Sequence, residues 1–348
     1  MIPAMIPGMA LMLAFAPWQA GGDLESLMKT GLSLAEQEKY AEAAQVFAKC
    51  AKEHPESFEA GYNLALARFA LKEYSPALAA LDAVPAAERE EKAARDCLRG
   101  KVFLATGRDR EGLERMAGAF RMNPADENCA LDLGMGYIRA QAYVPAIEVL
   151  EKAPHKDSEL LLLELALAQA LAGRHADAIR TSSILLKRNA DSAMPRLIAA
   201  FSYYMDGKYR ECAKEASAGL AGSNANPYFY YLRAGAEWKM NAENYAGQSR
   251  DLATAAKEVP GCGVCFLALS KVHEKMGDDQ AAIADLTSAT RLDQTLAQAW
   301  YRLSILYRKQ GNTAEAEASL KRYHAIKSVE SEREQDMFRR QAVDMLGH

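Results

Sequence analysis

Ala297-Gln298-Ala299-Trp300-Tyr301-Arg302-Leu303-Ser304, followed by Tyr307, Gly311, Ala316 and Leu320, is the stretch on which the fold turns. Its eighth and twentieth places are small (Ser304, Ala316), a glycine stands between them, and a large apolar residue fills the twenty-fourth place. Sliding the sequence along itself brings up the same pattern from starts at 24, 58, 93, 127, 159, 193, 229, 263 and 297, at spacings of 32 to 36 residues. The eighth place reads Gly31, Ala65, Gly100, Gly134, Ala166, Ala200, Ala236, Ser270 and Ser304, all small. At the twentieth only Gln248 is bulky, and at the twenty-fourth Phe47, Leu81, Met116, Leu150, Leu252, Leu286 and Leu320 stand beside the smaller Ser182 and Ala216.

Each unit reads as two helices of about a dozen residues joined by a tight turn. Small residues at two fixed places let the helices approach, and the large residue fills the space beside them. Gly107, Gly173, Gly207, Gly277 and Gly311 mark the turns, where positive φ costs glycine nothing. Pro55, Pro124 and Pro260 punctuate the junctions between units. One hairpin of this kind leaves its apolar face exposed, whereas a stack of them buries it in a continuous core. The fold class is therefore all-α.

Spacing and small-residue places resemble the tetratricopeptide repeat family over about 24 to 330, as about nine repeats. The fourth unit carries the likeness through Gly134, Tyr137, Tyr143, Ala146, Leu150 and Ala153; residues 193 to 260 depart from it at Ala216 and Gln248. The resemblance implies a right-handed superhelical solenoid of antiparallel helix pairs whose first helices line a concave groove. It also places the groove side chains. Tyr62, Asn63 and Phe69 come from the second unit and Asn128 and Asp132 from the fourth. Phe201, Tyr204, Tyr230 and Arg233 come from the sixth and seventh, and Tyr301, Arg302 and Arg308 from the last. Tyrosine offers large contact area with a polar tip, and arginine suits carboxylates and carbonyls. About half of these side chains are expected to pack against a neighbouring repeat instead. Of the aromatic cluster Tyr203, Tyr204, Tyr228, Phe229, Tyr230 and Tyr231, at least two must be core, because adjacent helical residues point different ways.

Two binding modes of the family are not carried here. The basic places of the chaperone-tail clamp read Met28, Ala94 and Leu98, and the sixth place holds no asparagine ladder. The expected function is a non-catalytic protein–protein interaction scaffold or adaptor that holds a peptide or helix of a partner. The alternatives are a self-associating or envelope-associated organiser and a non-catalytic subunit of an enzyme complex.

The composition is that of an ordered chain, 50% hydrophobic and 25% charged, and a net charge of -4 predicts no electrostatic footprint for nucleic acid. Residues 1–22 carry no charged side chain and an apolar run from Met9 to Ala16 broken by flanking prolines. They read as a signal peptide cut near Ala14-Phe15-Ala16, or as a disordered leader. On the first reading the protein is exported, periplasmic or secreted; on the second it is cytoplasmic. The body inserts in no membrane on either, and its oligomeric state stays open. Residues 331–348 read as a capping helix with mixed charge.

The cysteines offer one compact motif, Cys262-Gly263-Val264-Cys265, which is either a disulfide or a pair of free thiols at a helix entry. Cys50 and Cys212 occupy packing places and read as core. The histidines form no HExxH and no triad spacing. No catalytic, metal or cofactor site is expected.

Overall fold

The computed structural model describes residues 22–154, 158–222 and 226–346, with side chains from 23 to 329. The leader expected at 1–22 lies, but for Gly22, outside the described residues. The described residues form eighteen α-helices and no strand. The chain divides into two compact units that part after Gly173, inside the fifth repeat. The first unit holds α1 (Gly22–Glu36), α2 (Tyr40–Glu53), α3 (Phe58–Ala70), α4 (Tyr74–Ala83), α5 (Arg89–Ala105), α6 (Asp109–Met122), α7 (Glu127–Arg139), α8 (Tyr143–Lys152) and α9 (Glu159–Leu171). The second holds α10 (His175–Arg188), α11 (Ala193–Met205), α12 (Tyr209–Ala221), α13 (Tyr228–Lys239), α14 (Tyr245–Glu258), α15 (Gly263–Met276), α16 (Asp279–Leu292), α17 (Ala297–Lys309) and α18 (Thr313–Leu346).

The small places do what the sequence pattern requires of them. A Cβ at Gly134 would stand 2.6 Å from Leu150 Cδ2, and one at Gly31 only 2.5 Å from the Phe47 ring, so the eighth place of α7 or α1 is where the twenty-fourth residue of the paired helix lies. Phe47, Leu81, Met116, Leu150 and Leu286 are wholly buried there. Truncating such a side chain leaves a cavity and costs about 3–5 kcal/mol. Gln248 keeps its bulk at a small place because the α13–α14 turn is longer than the others. Its Nε2 donates to the Ala242 carbonyl at 2.8 Å, tying that turn down.

Each repeat turn passes through one residue of positive φ. Five are the expected glycines; in the others Glu38, Lys72, Gln141 and Asn241 take the same conformation, at φ 60, 61, 59 and 54. The bond of the following N–H to the carbonyl five residues back, as from Lys39 to Leu34 at 2.9 Å and from Arg108 to Phe103 at 2.9 Å, closes the helix end in both cases.

The end of the chain differs from expectation. No separate capping helix begins at 331: α18 is one helix of 34 residues, about 51 Å long, that continues the second helix of the last repeat. No glycine or proline stands between Thr313 and Leu346 to stop it.

Candidate interaction surface

The first helices of the first unit spend most of their groove residues on themselves. Tyr62 and Asn63 are not groove side chains. Tyr62 is 9% exposed, stacks on Phe58 with ring centroids 5.3 Å apart, and lies in the core with Val84, Ala94 and Leu98. Burial first, then the carboxylates of Asp126 and Asp132, pushes its hydroxyl far above the ordinary tyrosine range. Asn63 is wholly buried, and neither side-chain polar atom has a hydrogen-bond partner among the described residues. The physical reason is the neighbouring first helix, α5, whose Ala94 and Leu98 share one buried cluster with Tyr62 and Val84. Phe69 is partly buried, with Lys101 Nζ 5.7 Å from its ring centroid; the same ammonium donates to Asp132 Oδ2 at 2.7 Å. A cation–π contact and an ion pair thus link α3, α5 and α7 in series. Asn128, in the first turn of α7, is exposed.

In the second unit Phe201 meets the His175 ring edge-on at 6.3 Å, and Tyr204 meets Tyr209 at 5.5 Å. Burial pushes the Tyr204 hydroxyl up to about 12, with Tyr231 and Tyr209 adding to it. Tyr230 is partly buried against Val259, Cys262 and Cys265. Arg233 lies 5.9 Å over the Tyr230 ring and holds Asp251 with two bonds, Nε to Oδ2 at 2.7 Å and Nη2 to Oδ1 at 2.8 Å, so its fork is occupied. That bond raises the Arg233 pKa. Arg302 donates to Glu274 Oε1 at 2.6 Å.

Tyr301 and Arg308 remain open. Tyr301 is 46% exposed, one face resting on Tyr323 at 5.2 Å, and Arg308 is exposed with no ion pair among the described residues. One helical turn from Tyr301 stands Ile305, 48% exposed, which sequence reasoning passed over although it holds the ninth, inward place of its repeat. With Glu274, Gln298 and Arg302 these two line a bay of about 180 Å³ between α15 and α17. Lys271 borders it, donating to Gln298 Oε1 at 3.2 Å; burial first, then Arg302 and Lys239, lowers its pKa. Met205, Met240 and Met276 stand exposed at the ends of α11, α13 and α15, one per repeat. A larger cleft of about 670 Å³ opens between α16, α17 and α18, where Trp300, Arg291, Arg322, Ile326 and Val329 meet.

Three side chains far apart in sequence converge where no triad spacing was legible. His273 Nδ1 lies 2.7 Å from Asp285 Oδ2 and its Nε2 lies 2.9 Å from Ser249 Oγ. The order is that of a nucleophile, base and orienting acid, but Ser249 sits inside α14, where backbone N–H groups are consumed by the helix and are not free to hold an oxyanion. The relay acts as a strut across α14, α15 and α16. Burial raises the Asp285 pKa, against the pull of its bond to His273.

Two disulfides are formed. Cys262 and Cys265 are bonded, one of the two states the motif allowed; Cys97 of α5 and Cys129 of α7 are also bonded, which the sequence reading did not anticipate. Their separation of 32 is one repeat, and that was the signal: residues one period apart lie on neighbouring first helices. Cys50 and Cys212 are free and buried, and burial pushes the Cys212 thiol up to about 12.

Paired helices of near-constant length, closed by one left-handed turn residue and packed through two small places, define a helical-repeat protein. Residues 34–98 and 267–328 match family models of the tetratricopeptide repeat. The chain is a tetratricopeptide-repeat protein. Among curated proteins it is similar to superkiller complex protein 3 of Mus musculus, 30% identical over 95 residues that make up 27% of this chain. The human protein of that name is 26% identical over 123 residues. The chain spans only 6% and 8% of the length of these relatives. Among solved structures, a tetratricopeptide repeat protein from Parabacteroides merdae aligns with 72% of this chain and 99% of its own at 16% identity and a TM-score of 0.46. YrrB, described as a TPR protein with an unusual peptide-binding site, aligns with 53% of this chain and 92% of its own at 17% identity and a TM-score of 0.42. Among the described residues no helix is long and apolar enough to cross a membrane.

Proposed function

We propose that the protein is an adaptor that docks a peptide or helix of a protein partner on the first-helix face of α15 and α17. The observation that carries this reading is the pair Tyr301 and Ile305, two large apolar side chains left open one turn apart. Beside them stands the open Arg308, with Lys271 and Arg302 already engaged by Gln298 and Glu274 at the rim; an arginine left open suits carboxylates or backbone carbonyls of the bound segment. An exposed aromatic beside an exposed aliphatic, rimmed by polar groups, is the composition of an interface centre. The other groove arginine, Arg233, is held by Asp251 and serves the scaffold.

The test is selection of a displayed peptide library on the full chain, repeated on Tyr301→Ala/Ile305→Ala. A sequence family enriched by the wild type and not by the variant is expected. Equal enrichment by both would move recognition away from α17.

The disulfides favour a second inference, about compartment. Cys97–Cys129 and Cys262–Cys265 are expected to form and persist where thiols are oxidised, which supports export. Rapid acid quenching of native cells, followed by differential alkylation, should find both pairs bonded in the exported fraction. Free thiols at all four positions would place the protein in a reducing compartment.

A further inference from the structure

We propose that the Cys262–Cys265 pair is a thiol–disulfide exchange site that reacts with an external dithiol, whereas Cys97–Cys129 is a fixed structural bridge. This goes beyond the adaptor reading and does not depend on it. The first ground is position. Cys262 is the N-cap of α15, and its Sγ accepts the Cys265 N–H at 3.2 Å. The N–H groups of a first helical turn lack carbonyl partners, and the positive end of the helix favours an anion, so a sulfur placed there is stabilised as thiolate.

The second ground is access. Cys265 is wholly buried and Cys262 is 7% exposed, with the exposed Gly261 just before it and the exposed Val264 two residues on. Tyr230, Tyr231 and Val259 pack against the pair from the other side. An incoming thiolate therefore meets Cys262 first.

The third ground is the contrast with the other bridge. Cys97 lies in the middle of α5, where the backbone N–H groups are taken. Cys129 lies in the first turn of α7, but its N–H is held by the Asp126 carboxylate at 3.0 Å, and a carboxylate disfavours a neighbouring thiolate. Opening Cys97–Cys129 frees two helices whose cysteines are 32 residues apart; opening Cys262–Cys265 frees a separation of 3 within one turn. The loss of chain constraint is much larger in the first case. The N-cap hydrogen bond of α15 uses the Cys262 sulfur and the Cys265 backbone N–H, groups that exist whether the pair is bonded or reduced.

The exchange runs as two displacements. One thiolate of the dithiol attacks Cys262 Sγ, the Cys262–Cys265 bond breaks, and Cys265 leaves as a thiolate that takes up a proton. The second thiolate of the partner then attacks the partner's own sulfur in the mixed disulfide. Cys262 leaves as a thiolate held by the Cys265 N–H. The dithiol gives up two electrons and two protons and becomes a disulfide; the cysteine pair accepts both electrons and, on Cys265, one proton, while the other proton passes to solvent.

The experiment equilibrates the full chain in graded mixtures of reduced and oxidised dithiothreitol, quenches by alkylation, and reads each cysteine pair by mass spectrometry with circular dichroism in parallel. Cys262–Cys265 is expected to reach half-reduction at a reduced-to-oxidised ratio at least about tenfold lower than Cys97–Cys129, with helicity unchanged. Glutathione disulfide at neutral pH should form a mixed disulfide at Cys262 in the Cys265→Ser variant. Co-reduction of the two pairs, reduction of Cys262–Cys265 only where helicity is lost, or a Cys262 thiol left unmodified in a folded Cys265→Ser chain would overturn the proposal. The wild-type titration needs no substitution and decides the matter if the variant misfolds.

Discussion

Tyr62-Asn63 of α3 and Tyr301-Arg302 of α17 hold the same fifth and sixth places of their repeats, yet they live in different surroundings. Tyr62 is 9% exposed and Tyr301 46%; Asn63 is buried without a partner among the described residues, and Arg302 reaches Glu274. The helices that carry them are both 13 residues long and follow the same packing rule. What differs is the neighbour. Ala94 and Leu98 of α5 close over Tyr62 of α3, while on α17 the rings of Tyr301 and Tyr323 lean together and leave Ile305 bare. A place in a repeat fixes direction; the next helix decides whether that direction is core or surface.

The contrast is open to attack by substitution. Tyr62→Ala should destabilise the first unit by about 4 kcal/mol, as for a buried aromatic truncation, and Tyr301→Ala by no more than about 0.5 kcal/mol. Urea unfolding monitored by circular dichroism measures both, and equal losses would erase the distinction. A smaller effect of opposite sign is expected at the neighbouring place. Asn63→Leu removes two buried polar atoms that lack partners among the described residues and should stabilise by about 1–2 kcal/mol in the same assay. Next comes the charge series of the first unit. Lys101→Met strands Asp132 and should cost about 1 kcal/mol, while Arg308→Met, which breaks no ion pair among the described residues, should leave the unfolding midpoint unmoved.

The smallest effect is a pH dependence. Burial holds the Glu164 carboxyl above its usual range, so the folded state binds the proton more tightly than the unfolded one. Stability from this group is complete below the unfolded pKa and is lost as pH rises through the folded value. Glu164→Gln should therefore stabilise slightly at pH 7 and make no difference at about pH 3. A gain that persists in acid would assign the effect to packing.

The repeat itself was legible because small residues that recur at two fixed places, period after period, mark where one helix must lie close against the next. The turns were half legible: Gly107 announces positive φ, whereas Lys72 and Gln141 adopt it at places where sequence preference gives no sign. Within the groove set, side-chain direction could be read and cover could not, which is why Tyr62 and Asn63 were misplaced and Ile305 overlooked. Cys97–Cys129 and the Ser249–His273–Asp285 relay depend on contacts between helices, which become visible only once neighbouring helices are aligned. The continuous α18 follows from an absence of breakers that a charged, mixed segment disguises.

The most direct test of docking on α17 is quantitative affinity purification of the full chain from its native cells against two folded variants. Tyr301→Ala/Ile305→Ala alters the proposed docking face; Val144→Ala removes a still more open side chain from α8. Partners shared by the wild type and the Val144 variant and lost from the α17 variant are the expected result. Partners retained by the α17 variant would contradict it.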